Sequence, residues 1–190
     1  SPPDELTRAA NVQFHRVDLS DDRAVANIPS TFLDVDILIN NASEQPDIEI
    51  THKRSLGDFD RQWQCGARAA IALTQLCTPA LLRRRGLVIN ILSSYTLETP
   101  PKGIAPYIVQ KYALLGFGLA LREELAGRGV RVVQLSPRVI DTAFLQKLPE
   151  QVREHLLAQM DTLSPAHVAS RILDISHEGA NLAQNQLIDR

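Results

Sequence analysis

The chain has 190 residues and 21.0 kDa, 44% of them hydrophobic, and a formal net charge of −2 from 20 Lys and Arg against 22 Asp and Glu. That size and apolar content predict one compact domain over residues 1–190 and exclude disorder and fibrous repeats. The balanced charge offers neither a basic footprint for nucleic acid nor an acidic tail, so a small molecule or another protein is the expected partner. Cys65 and Cys77 fall about 18 Å apart along one expected helix, too far to bond, which fits a reducing compartment. Apolar runs short of the ~18 residues of a membrane span, and a start without signal-peptide character, lead to the expectation of a cytoplasmic protein with no membrane partner.

In chain order, the alternation in Val12–Leu19 predicts a strand, followed by a polar Ser20-Asp21-Asp22 cluster suited to capping a helix. A short apolar run from Val35 to Asn40, stopped by Asn41, predicts a strand buried on both faces. Helical spacing then runs from Asp58 to Arg85. Arg83, Arg84 and Arg85 are read as cations at the negative end of the helix dipole, with Gly86 as its left-handed cap. Leu87–Leu92 predicts a second buried strand, and the proline-rich loop TLETPPKGIAP follows Ser93 and Ser94. Pro106 is placed to start a helix from Tyr107 to Ala126, ending near Gly127. Val130–Leu135 predicts a third strand broken by Pro137. Helical segments are expected over Asp141–Met160 and Pro165–Ile175, with a short last strand at Gln186–Ile188. Strands alternating with long helices predict an α/β fold with a doubly wound parallel sheet.

One pair of residues carries chemistry. Tyr107 and Lys111 stand one helical turn apart on the same face, so an ammonium is expected about 5 Å from the phenol. At an effective dielectric near 20 this is worth roughly 3 kcal/mol, or about two pKa units off a phenol near 10. Ser94 lies at the carboxyl end of a predicted strand, the edge where open parallel sheets bind ligands, and is placed to orient a substrate oxygen. The five histidines, 15, 52, 155, 167 and 177, show no metal-ligand spacing, and no metal site is expected.

Together, Asn40-Asn41-Ala42 after a strand, INILSS ending in Ser94, Tyr107 with Lys111, and SPRVIDT through Pro137 and Thr142 resemble the short-chain dehydrogenase/reductases, in order and in spacing. The similarity covers the chain from that family's third strand at Val12 to its last near Leu187. The resemblance implies a Rossmann-like sheet, NAD or NADP as cofactor, and hydride transfer between nicotinamide and a carbonyl or secondary alcohol. It further implies a homodimer or homotetramer packed through the two long helices. Residue by residue, it implies Tyr107 as general acid/base, Ser94 as the group holding the substrate oxygen, and Lys111 as the residue that lowers the tyrosine pKa and binds the nicotinamide ribose. Asp18 and Leu19 match the adenine contacts, Asn40, Asn41 and Ala42 the turn beside the cofactor, and Pro137, Ile140 and Thr142 the segment at the carboxamide.

Four departures from the family pattern stand out. Ser43 replaces a glycine, Gly66 stands where the family's helix asparagine relays protons through a water, and Arg138 follows Pro137 where glycine is usual. Arg138 could bind phosphates, crowd them or point to solvent. The largest departure is that no TGxxxGxG turn follows a first strand. Without the first two strands of the family order, the Val12 strand would lie about 14 Å from the Val35 strand, at ~4.8 Å per spacing. Roughly 35 to 45 further residues upstream are therefore expected, the size of a βαβ unit. A second reading stays open: a non-catalytic scaffold or regulatory domain that keeps the fold but has lost cofactor binding.

Overall fold

In a computed structural model, the residues described are 11–146, 148, 150–159, 162–178 and 185–188. Four strands form one sheet in the order β1 (Ile37–Asn40), β2 (Leu87–Ile91), β3 (Arg131–Pro137), β4 (Asn185–Ile188), every neighbouring pair parallel. β2 is buried along its whole length, which is why its sequence is a continuous apolar run with one amide. Alternation divides the strand between two layers. Leu87, Ile89 and Ile91 pack with Val133, Leu135, Val168 and Ile175, whereas Val88 and Val132 pack with Cys77, Leu81 and Leu121. Helices therefore cover both faces, as the doubly wound expectation requires.

The face opposite Ile175 is covered by α2 (Leu56–Arg84) and α3 (Ala105–Glu124). α2 follows the short α1 (Asp22–Ala26), which Arg68 holds by an ion pair to Asp22. α2 opens on a capping box between Ser55 and Asp58 and passes through a π turn at Gln64–Arg68. By length and composition α2 is apolar enough to cross a bilayer, but Cys77 and Leu81 on it are core residues, as suits a helix packed between sheet and neighbour. After β3 come α4 (Ala143–Gln146), α5 (Glu150–Gln159) and α6 (Pro165–His177), the last capped by the Ser164 side chain on the His167 amide. The helix expected over Asp141–Met160 is thus two helices, and its end at Met160 lies outside the described residues.

Three expectations are corrected. β1 is not buried on both faces: Ile37 and Ile39 are exposed, because β1 is the outer strand of the described sheet. Residues 12–17 form no strand and are mostly exposed. A strand exists only through backbone partners, and these residues find none among those described. At the end of α2 it is Arg85, at φ 53°, that takes the left-handed conformation, not Gly86. Gly86 serves a close approach instead: a Cβ there would lie 2.4 Å from the Asp36 carbonyl oxygen. Arg83 and Arg84 answer carboxylates, not only the helix dipole, with Asp34 at 3.0 and 2.8 Å and Asp36 at 3.2 Å from Arg84.

A row of amides crosses the α2–α3 side of the sheet. Asn40, Asn90 and Gln134 are register partners on β1, β2 and β3. Asn40 Nδ2 donates to Asn90 Oδ1 at 2.8 Å and to Thr74 Oγ1 at 3.2 Å, and Asn90 Nδ2 donates to Gln134 Oε1 at 3.3 Å. Gly118 on α3 makes room for it, since a Cβ there would sit 1.6 Å from Gln134 Nε2.

Candidate active site

Parallel pairing in register delivers the carboxyl ends of β1, β2 and β3 to one edge, and with them Asn40-Asn41-Ala42, Ser93-Ser94 and Pro137–Thr142. Ile104 precedes α3 and Pro106 lies in its first turn, where the missing N–H is harmless, so Tyr107 and Lys111 enter the sheet edge from above. The Lys111 ammonium lies 5.4 Å from the centre of the Tyr107 ring and donates to the Ile91 carbonyl at 2.9 Å. The one-turn spacing therefore brings the two side chains together as expected.

Two details of the site stand out. The hydroxyl bonded to the Tyr107 phenol is that of Ser93, not Ser94. Both serines are buried; the Ser94 carbonyl accepts the Leu97 and Glu98 amides in a 3-10 turn, Ser94–Thr96, that turns the chain away. The Leu92 amide still pairs with Leu135 O at 2.7 Å, so Ser93 is the first residue released at the strand end. Secondly, burial outweighs the ammonium. It pushes the Tyr107 phenol up to about 12, against the Ser93 hydrogen bond, and the Lys111 ammonium down to about 8. Lys111, 3% exposed, pays more for its own desolvation than it can return to the phenol.

Further groups stand around this pair. Tyr95 is partly buried, and burial, with the Glu98 charge adding to it, pushes its phenol up; Tyr95 in turn adds to the rise at Tyr107. Arg138 neither points to solvent nor stands alone, for its Nη2 donates to Glu98 Oε1 at 2.7 Å. The π turn falls on Gly66, and the missing side chain is replaced from across the interface by Gln110, whose Cδ lies 2.3 Å from where a Cβ of residue 66 would be. Gln110 is 1% exposed, and both its amide atoms lack a partner.

The remaining candidates are dispersed along the same edge. Asn40 Oδ1 and Ser43 Oγ are buried without partners, flanking the exposed Asn41 and Ala42. Ile140 forms a bridge with Leu163, and Ile140 and Thr142 are both partly exposed. Asp18 is exposed, and the Ser20 hydroxyl and amide hold its carboxyl below the usual range. Leu19 beside it is half-buried. Asp18 also reaches the π turn electrically, since with burial and Glu44 it raises the Cys65 thiol. Cys65 and Cys77 are both free thiols. Among the described residues no three His, Cys, Asp or Glu gather as a metal site would need. A hollow of about 470 Å³ bounded by Ser30, Asp34, Leu76 and Arg83 lies at the opposite, amino-terminal edge of the sheet.

Residues 4–153 match the family model for short chain dehydrogenase. The chain is 34% identical over 137 residues to serine 3-dehydrogenase of Rhizobium radiobacter, covering 69% of this chain and 55% of that protein. It is 28% identical over 158 residues to a 3-oxoacyl-[acyl-carrier-protein] reductase of Thermotoga maritima, covering 81% and 63%. The chain thus spans less than two thirds of either relative. Among solved structures, serine dehydrogenase from Escherichia coli superposes with a TM-score of 0.69 at 26% identity, over 90% of this chain and 72% of that one. A closed serine dehydrogenase complexed with NADP+ shares the fold at a TM-score of 0.76 and 24% identity, over 90% and 73%. The chain belongs to the short-chain dehydrogenase family.

Proposed function

We propose that this chain carries the acid/base half of an NAD(P)-dependent oxidoreductase that interconverts a carbonyl and a secondary alcohol. The observation that supports it most is the hydrogen-bonded Ser93–Tyr107 hydroxyl pair at the sheet's carboxyl edge, with the Lys111 ammonium 5.4 Å from the phenol ring. With a phenol near 12, Tyr107 is protonated throughout the neutral range and is loaded as an acid. In this reading it gives its proton to the substrate oxygen during reduction, and Ser93, in the place first expected of Ser94, holds that oxygen. Lys111 offsets negative charge left on the phenolate.

The residues present fit the nicotinamide end of the cofactor. Asn40 Oδ1 and Ser43 Oγ are buried polar atoms in want of partners, and Asn41, Ala42, Pro137, Ile140 and Thr142 lie along the same edge. When bound, the nicotinamide supplies or accepts the hydride. Asp18 and Leu19 are assigned to the adenine side. No residue is assigned to the pyrophosphate; the first glycine within these 190 residues is Gly57. A second reading, a scaffold, stays open, and the test separates the two. In the full-length protein, Tyr107→Phe is expected to cut NADPH-dependent carbonyl reduction at least about a hundredfold while melting stays near wild type. Ser93→Ala should lower turnover far more than Ser94→Ala. Near wild-type turnover in Tyr107→Phe rejects the assignment, and no turnover in the wild type leaves the scaffold.

Exposed apolar side chains on the outward face of the two long helices, Trp63, Val109, Tyr112 and Leu119, support a homodimer or homotetramer joined there. The cytoplasm remains the proposed location.

A further inference from the structure

The connection from Ser93 to Tyr107 must bring two hydroxyls together, yet only its first turn, Ser94–Thr96, is regular. Pro100, Pro101 and Gly103 keep the remainder out of helix and sheet. Two side-chain rungs fasten its first half to the end of β3. Thr96 Oγ1 lies 3.0 Å from Ser136 Oγ, both buried, and also donates to the Ser93 carbonyl at 2.8 Å. Two residues further along each segment, Arg138 Nη2 donates to Glu98 Oε1 at 2.7 Å. The far half is held separately, by Arg54 Nη2 on the Gly103 carbonyl at 2.5 Å.

The second rung is charged and sheltered, each side chain keeping only 30% exposure. Arg138 Nε is buried without a partner, so the guanidinium relies on Glu98. Losing Glu98 would leave a half-buried cation without a carboxylate partner among the described residues, and losing Arg138 would leave the Glu98 charge beside Tyr95 without its guanidinium.

We propose that Arg138 and Glu98 are positioning residues: their ion pair clamps the β2–α3 connection to the end of β3 and so keeps the Ser93 hydroxyl on the Tyr107 hydroxyl. The clamp stands within electrostatic reach of the site, since Glu98 acts on Tyr95 and Tyr95 on Tyr107. It touches no reacting atom, and its effect on rate runs through the two hydroxyls. Displacing a reacting group by about 1 Å can cost on the order of a hundredfold.

The test uses Glu98→Gln, Arg138→Met and the reversed pair E98R/R138E in the full-length protein. One readout needs no cofactor: the ring signals of 13C-labelled tyrosine for Tyr95 and Tyr107. The other is kcat and KM for carbonyl reduction with NADPH, which rests on the oxidoreductase reading. Each single variant is expected to shift both ring signals and to lower kcat about tenfold or more, with KM for substrate within about twofold. The reversed pair should restore both. If Arg138→Met fails to fold, Glu98→Gln, which preserves shape, carries the comparison. Unmoved Tyr107 signals, a reversed pair no better than the singles, or a change confined to KM for anionic substrates would overturn the clamp. The last outcome would make Arg138 a substrate contact. A wild type without NAD(P)-linked turnover removes the oxidoreductase reading and leaves the tyrosine signals to decide the clamp.

Discussion

One helical turn separates Tyr107 from Lys111, close enough for the ammonium to pull the phenol down, yet both groups titrate in the opposite directions. Spacing tells who meets; it does not tell how much water leaves, and with both groups enclosed the loss of solvation dominates. A measurable consequence concerns stability. The folded Lys111 releases its proton near 8, the unfolded one near 10.5, so between these values the unfolded chain binds more protons and stability rises with pH from this group. Below about 8 the buried cation is a standing cost. Lys111→Met is therefore expected to stabilise the fold at pH 6.5, by up to about 3 kcal/mol at 1.36 kcal/mol per pKa unit, less the lost bond to Ile91 O. The gain should shrink toward zero by pH 10, as urea denaturation at the two pH values would show; a gain that does not shrink with pH would refute the account. Which of the two adjacent serines meets the phenol is likewise not set by spacing. Sequence separation between two reacting groups is reliable inside a helix, where the rise is fixed, and unreliable across a loop such as 94–104, whose length carries no periodicity.

At the scale of elements, the helices and the buried strands were legible because their apolar periods are strong: Leu87–Ile91 and Ala105–Glu124 appear within two residues of the expected bounds. The π turn was not, because one inserted residue leaves a helical pattern nearly unchanged. What it does can be tested through the pair it brings together. A Cβ on residue 66 meets Gln110, so Gly66→Ala alone should cost about 1–3 kcal/mol through overpacking. Gln110→Ala removes two unpartnered buried polar atoms and should cost little. The double variant should then recover most of the loss, a coupling of roughly 1–3 kcal/mol in a denaturation cycle. Additive losses would show that residue 66 and Gln110 do not compete for the same space. The segment 12–17 misled in the other direction. Its alternation is that of a strand, but pairing is a property of neighbours, and no single segment encodes them.

For the whole molecule, the family's architecture could be read from four short signatures because three fall at the same end of adjacent parallel strands and the fourth, Tyr107 with Lys111, on the helix that starts beside that edge. The phosphate end of a dinucleotide site could not, as it would be made by backbone amides of a glycine turn that these residues do not contain. The 190 residues alone are accordingly expected to bind NADH or NADPH more weakly than micromolar in a calorimetric titration; micromolar binding would show a substitute phosphate site. The same sheet holds a polar row, Asn40, Asn90 and Gln134, on a face whose core is mostly Val and Leu. Those aliphatic side chains are nearly interchangeable, so a strand shifted by two positions would bury almost the same apolar area. The amides are not interchangeable: a shift strands each in an oily layer at about 1–3 kcal/mol apiece. During assembly the row therefore acts as a checking mark, rejecting misaligned β1, β2 and β3 pairings that hydrophobicity alone would accept, and only the accepted alignment brings Ser93 level with Tyr107.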